Sequence, residues 1–81
     1  MSNELLDNIE RIHTTAGGEE RIRRNLALGP EEEPVSFCRE VIRAVDCRIY
    51  RRGKNWYAET GSIRITVNGS SYTIITAHIR K

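Results

Sequence analysis

An α+β fold, with helices on one face of an antiparallel sheet, follows from three features of this 81-residue sequence. Apolar residues recur at three-to-four spacing through residues 1–46 and at two-residue spacing from Cys47 onward. The breaks in the second half are short and each carries a glycine, so the strands they join must be antiparallel neighbours. Only 38% of the residues are hydrophobic, which suits a single small core. We therefore read residues 1–81 as one domain, 1–46 forming a helical layer and 47–81 a sheet.

The first helix is predicted from Leu5, Leu6, Ile9, Ile12 and His13, with Ser2 or Asn3 as N-cap and an end near His13. Thr15 is placed as N-cap of a second helix carrying Ile22 and Leu26, with Glu19 and Glu20 early and Arg21, Arg23 and Arg24 later. Gly17 and Gly18 weaken its start. Gly29-Pro30 is expected to close it, with glycine in the left-handed conformation. Pro34 suits the first turn of a third helix, in which Val35, Cys38, Val41, Ile42 and Val45 form the apolar stripe.

Four strands follow, Cys47–Arg51, Trp56–Glu59, Ile63–Val67 and Tyr72–Ile79, rich in Ile, Val, Thr and Tyr. The breaks are Arg52-Gly53-Lys54, Thr60-Gly61 and Asn68-Gly69. The expected sheet is a meander with all three helices on one face. In the third strand Ile63, Ile65 and Val67 point inward and Arg64, Thr66 and Asn68 outward. The fourth is ambiguous, because a one-residue slip exchanges its faces. A two-residue turn pairs Val67 with Ser70 and buries His78. A three-residue loop with a glycine bulge pairs Val67 with Ser71 and sets Tyr72, Thr76 and His78 beside Arg64 and Thr66 on the outer face. We take the second, which buries Ile75, Ala77 and Ile79 and displaces only Ile74.

Charge is unevenly divided. Residues 1–46 carry a net −4, whereas residues 47–81 carry seven basic groups against Glu59, a net +6. Such a field attracts phosphate-rich ligands, unless the acidic half neutralises it. No stretch reads as a membrane span or a signal segment. Two cysteines, Cys38 and Cys47, suit a reducing cytoplasm better than a disulfide scaffold. Their spacing from each other and from His13 and His78 lacks the close pairs of a zinc site, so no metal or other cofactor is expected. Phosphate-loop, dinucleotide and G-x-S-x-G patterns are absent.

The run His13-Thr14-Thr15, then Arg21-Ile22, Asn25-Leu26 and Cys38, with the segments RRGKNWY (51–57), ITVN (65–68) and SYTIITAH (71–78), resembles a small bacterial family known only as a domain of unknown function. That resemblance spans nearly the whole chain and implies no activity. A second likeness is architectural: helices followed by a four-stranded meander bearing Arg, Lys, Tyr, Thr and His resemble barnase, RelE-type toxins and colicin tRNases. It implies metal-independent RNA cleavage, by fold-level analogy.

That chemistry needs a base for the ribose 2′-OH, an acid for the leaving 5′-oxygen, and fixed positive charge at the phosphorane. His78 is the natural proton carrier, since histidine ordinarily titrates near neutrality. Arg64 supplies charge to a catalytic group completed by Tyr72 and Thr76. Arg51, Arg52 and Lys54 are assigned to phosphate contacts, and Trp56 and Tyr57 to stacking an unpaired base. Each has a plainer reading: Trp56 as core, the hairpin charges as solvated edge protection, His13 as a partner of the helix C-terminus. The expected partners are an RNA and an inhibitory protein. The alternative from another class is a non-catalytic module that binds RNA or an acidic protein through the same basic sheet.

Overall fold

A computed structural model describes residues 3–80. Ser2, the alternative N-cap, and Lys81, one of the seven basic groups of the second half, lie outside them. The element order is α1 (Glu4–Asp7), a 3-10 turn (Ile9–Arg11), α2 (Ala16–Asn25), α3 (Pro34–Arg43), then β1 (Arg48–Arg52), β2 (Asn55–Glu59), β3 (Ile63–Asn68) and β4 (Ile74–Ile79). Helices thus precede a four-stranded antiparallel sheet in the order β1-β2-β3-β4, an α+β meander.

The first helix is shorter than its periodicity suggests. Asn3 caps it, its Oδ1 accepting from the Leu5 N–H at 2.9 Å. The chain leaves helical geometry at Asn8 (φ −114°, ψ 24°), so one α-turn and one 3-10 turn replace the single helix expected to reach His13. Tertiary pairing explains the break. His13 donates its backbone N–H to Tyr72 O at 3.1 Å and accepts from Ile74 N–H at 2.8 Å, a parallel bridge that requires extended chain. Arg39 of α3 holds the segment from below, donating to Ile12 O at 2.7 Å.

Thr15 caps α2 as expected, its Oγ1 accepting from Gly18 N–H at 3.0 Å. Gly18 is buried, and a Cβ there would run into Thr14 Oγ1, so its lack of a side chain admits the neighbouring chain rather than merely weakening the helix. The helix closes earlier than Gly29-Pro30. Leu28 N–H bonds back to Arg23 O at 2.9 Å, and the left-handed residue is Ala27 (φ 54°) rather than Gly29. In α3, Pro34 occupies the first turn and the Glu33 carboxylate accepts from Ser36 N–H. Val45, assigned to its stripe, lies past the helix end and is fully exposed.

The last hairpin differs most from expectation. Its loop is longer than three residues: Asn68 Oδ1 accepts from the N–H groups of Ser70 and Ser71, and Asn68 N–H donates to Thr73 O at 2.8 Å. The positive φ falls on Tyr72 (60°), not on Gly69. Gly69 serves close approach instead, donating its N–H to Lys54 O at 2.8 Å. β4 therefore begins at Ile74, and Arg64 pairs with His78 and Thr66 with Thr76, in place of the expected Val67–Ser71 register. A bulge between Thr66 and Val67 sets Val67 opposite Ile74 and leaves Ile75 extra. Ile74 is accordingly buried, whereas Ile75 and Ile79 are 46% and 50% exposed, the reverse of the burial assigned to them.

One core results. Leu5, Ile12, Ile22, Leu26, Cys38 and Ile42 from the helical half pack with Trp56, Ala58, Ile65, Val67, Ile74 and Ala77 of the sheet. Ile9 and Val41 lie at its margin, partly buried.

Candidate functional site

The core takes one face of the sheet, and strand alternation puts the polar residues on the other. Their register forms rows across the strands. Arg48, Glu59, Arg64 and His78 are successive cross-strand partners, as are Tyr50, Tyr57, Thr66 and Thr76; Arg52, Asn55 and Asn68 form a third row. Neighbouring strands lie about 4.8 Å apart, so Glu59 and His78 flank Arg64 at a separation of roughly 10 Å.

Glu59 is the hub. Its side chain is only 13% exposed, and its carboxylate accepts from Tyr50 O–H at 2.8 Å. Arg64 Nε lies 3.1 Å from one carboxylate oxygen, and Arg80 Nη1 lies 3.7 Å from the other. The Arg64 contact is a charge contact, because its Nε–H is not aimed at the oxygen and makes no aligned hydrogen bond. The Tyr50 hydrogen bond, then Arg80, Arg64 and Arg48, outweigh partial desolvation and hold the Glu59 carboxyl below its ordinary value. Beside it the Tyr50 and Tyr57 rings stack at 5.4 Å between centroids, 19° from parallel. Arg48 lies over Tyr50 at 5.5 Å and Arg64 over Tyr57 at 4.8 Å. Planar guanidinium and aromatic groups thus share one surface, and both kinds stack on nucleobases.

The outer face gathers His78, Arg64, Thr76, Tyr57 and Arg52 of the residues singled out from the sequence. It does not gather Tyr72, Trp56 or Arg51. Tyr72 precedes the bulge and is buried toward the helices, its ring under Arg11 at 4.7 Å and its hydroxyl 3.4 Å from a Glu4 carboxylate oxygen. Trp56 sits opposite Val67 in the core, so it is not available as a stacking platform. Arg51, paired with Trp56, turns to the same side: its guanidinium lies 5.4 Å over the indole and 4.0 Å from Glu4. Lys54 is exposed at the β1–β2 turn. Glu59, Tyr50 and Arg48 were missed as site residues, although two-residue alternation from Tyr57 and Arg52 reaches all three.

His13 stays apart from this face. Its Nδ1–H donates to Arg11 O at 2.8 Å, and Nε2 lies 3.2 Å from Thr73 Oγ1, so it secures the N-terminal segment to the loop before β4. Cys38 is buried, and desolvation pushes its thiol up to about 12, so it is no nucleophile. Among the described residues no three His, Cys, Asp or Glu side chains come together as metal ligands. No helix among them is long and apolar enough to cross a membrane.

Glu59 shares its depressed ionisation with Glu33, whose carboxylate accepts the Ser36 backbone N–H. For such groups the unfolded chain binds protons first, so their contribution to stability is complete above the ordinary value of 4.5 and is lost as pH falls through the lower folded-state values. The urea midpoint should therefore decline as pH falls below 4.5 and through that lower range, and Glu59→Gln should flatten the decline. An equally steep decline in the variant would show that Glu59 is not coupled to folding.

Helices and short turns laid before a four-stranded meander, with one sheet face left to arginine, tyrosine, glutamate and histidine, define the class: a small α+β domain with an open-faced sheet. Within that class, the chain belongs to the family described as "Protein of unknown function (DUF3781)", whose model matches residues 6–78. No curated protein and no solved structure matches the chain.

Proposed function

We propose that the open sheet face binds single-stranded RNA and cleaves it without a metal, as a small toxin-type endoribonuclease acting in the cytoplasm. The observation that carries this reading is the row Arg48, Glu59, Arg64, His78, which sets two proton-transfer groups on either side of an arginine. In the proposed reaction the Glu59 carboxylate takes the 2′-OH proton and the 2′-oxygen attacks phosphorus. The P–O5′ bond breaks as the His78 imidazolium protonates the leaving oxygen, giving a 2′,3′-cyclic phosphate and a 5′-OH. Arg64 stabilises the crowded phosphorane, Thr76 hydrogen-bonds a phosphate oxygen, and the arginine-capped tyrosine pair stacks a base. Arg48 and Arg52 carry no carboxylate partner among the described ion pairs and so remain for phosphate contacts.

Binding to a short labelled RNA should weaken as salt rises, since each phosphate contact releases counterion. Arg48→Ala and Arg52→Ala should each reduce the slope of log affinity against log salt by about 0.7, the single-strand value. Arg51→Ala, on the helix side, should leave the slope unchanged. Absence of RNA binding at low salt would end this reading. Binding with the expected slope but without cleavage would leave a non-catalytic RNA module in its place.

A further inference from the structure

We propose that the cavity between α2 and β4 binds a single phosphate group, held by Arg21, Asn25 and Thr76. Arg21, Ile22 and Asn25 share one face of α2 through their three-to-four spacing, and across the cavity from them lie Ile75, Thr76 and Ala77 of β4. Ile22 and Ala77 belong to the core, so apolar walls back the cavity. Its volume is about 150 Å³. That is room for one tetrahedral oxyanion and a few waters, well below the roughly 300–1,000 Å³ of pockets that take drug-sized molecules.

The polar groups select the ligand. Arg21 offers a fork of N–H donors that matches phosphate oxygens, Asn25 an amide NH₂ and Thr76 a hydroxyl. None of the three side chains makes a hydrogen bond or ion pair with another described residue, so their donors remain for a ligand. Arg21 is the one ionisable side chain lining the cavity, and no carboxylate offsets its charge there. Apolar walls strengthen charge-assisted hydrogen bonds made against them. A carboxylate presents two oxygens in one plane, whereas a phosphate presents oxygens on several sides, which suits donors arriving from a helix and from the strand opposite. Thr76 also ties the cavity to the outer sheet face. It stands two residues from His78 on that face, about 7 Å along β4. That step is comparable to the spacing of successive phosphates along extended RNA. With the scissile phosphate at Arg64 and His78, the cavity receives the next phosphate of the strand. This assignment of the carrier rests on the RNA reading above, and the phosphate site itself does not.

The probe is inorganic phosphate, titrated into the full chain at constant ionic strength against chloride, with the side-chain N–H signals of Arg21 and Asn25 followed by NMR. Both signals are expected to shift and to saturate. Arg21 is exposed, so Arg21→Ala spares the core, and it is expected to weaken phosphate about tenfold or more. Arg24→Ala removes the same charge from an exposed position of α2 outside the cavity lining, and should leave phosphate affinity nearly unchanged. The proposal is overturned if neither signal saturates, if chloride alone produces the same shifts, or if Arg24→Ala weakens phosphate as much as Arg21→Ala does. A second arm identifies the carrier, using 2′-O-methyl oligonucleotides, which their own 2′-oxygens cannot cut, with one phosphate and with two. Tighter binding of the two-phosphate chain, lost in Arg21→Ala, assigns the cavity to RNA. Saturation by inorganic phosphate without that gain assigns it to free phosphate, which keeps the site and counts against the RNA reading.

Discussion

Replacing His78 with alanine is expected to lower RNA cleavage by a factor of about 10²–10⁴, the usual contribution of a positioned acid–base group, while RNA affinity changes by only a few fold. The side chain is exposed on the outer face, directly opposite Arg64 across the β3–β4 pair, so its removal leaves no cavity in the core. In the proposed reaction proton transfer is lost, while the surface proposed to bind phosphate keeps its charge. Arg64→Ala should behave differently. It removes charge from the proposed phosphate site and leaves Glu59 with one fewer partner, so both cleavage and binding should suffer. Cleavage by the wild-type chain should persist in chelator and leave 2′,3′-cyclic phosphate ends, which end-group analysis of the products can establish. If cleavage proves to require a divalent metal, the assignment of His78 as proton donor is wrong. If His78→Ala cuts RNA as fast as the parent, the outer face is not the catalytic surface.

The largest effect on stability is expected at Ile65. This residue is fully buried in the third of four strands, paired with Ala58 on one side and Ala77 on the other. Its two small neighbours leave the isoleucine to fill the space between sheet and helices. Ile65→Ala should cost about 2–5 kcal/mol, from lost burial and from the cavity left behind. A domain of this size has only about 5–15 kcal/mol in all, and its melting temperature falls by about 4–8 °C for each kcal/mol lost. Ile9→Ala and Val41→Ala make the contrast. Both belong to the apolar stripes of the sequence, yet both are only partly buried, so each should cost less than Ile65→Ala. A melting temperature for Ile65→Ala within a degree or two of the parent would mean that the helices do not close over the centre of the sheet.

Periodicity alone carried the class of the fold. Three-to-four spacing before Asp46 and two-residue spacing after it are local consequences of helix and strand geometry, and short turns leave no choice but antiparallel pairing. Thr15 and Pro34 marked helix starts because capping is a contact within one turn of chain. The same locality put Arg64 and Thr66 on one strand face, and it reached His78 because the expected and observed registers of the last hairpin share their parity.

What the sequence could not settle depends on contacts between segments distant along the chain. Ile9 and Ile12 continue a helical stripe, but Ile12 is buried and His13 is paired only because the chain is drawn out straight along β4. Ile74 and Ile75 are equivalent as residues, and a bulge opposite Val67 alone decides that the first is core and the second is exposed. Glu59 reads as a lone acid in a basic segment. Folding puts it between Arg48 and Arg64 and under the Tyr50 hydroxyl, where it becomes the centre of the outer face. Trp56, Tyr72 and Arg51 moved the other way, into or against the helix layer. A sheet doubles every local ambiguity, since each side chain has two faces to choose from, and only the register of neighbouring strands and the layer packed beneath them make that choice.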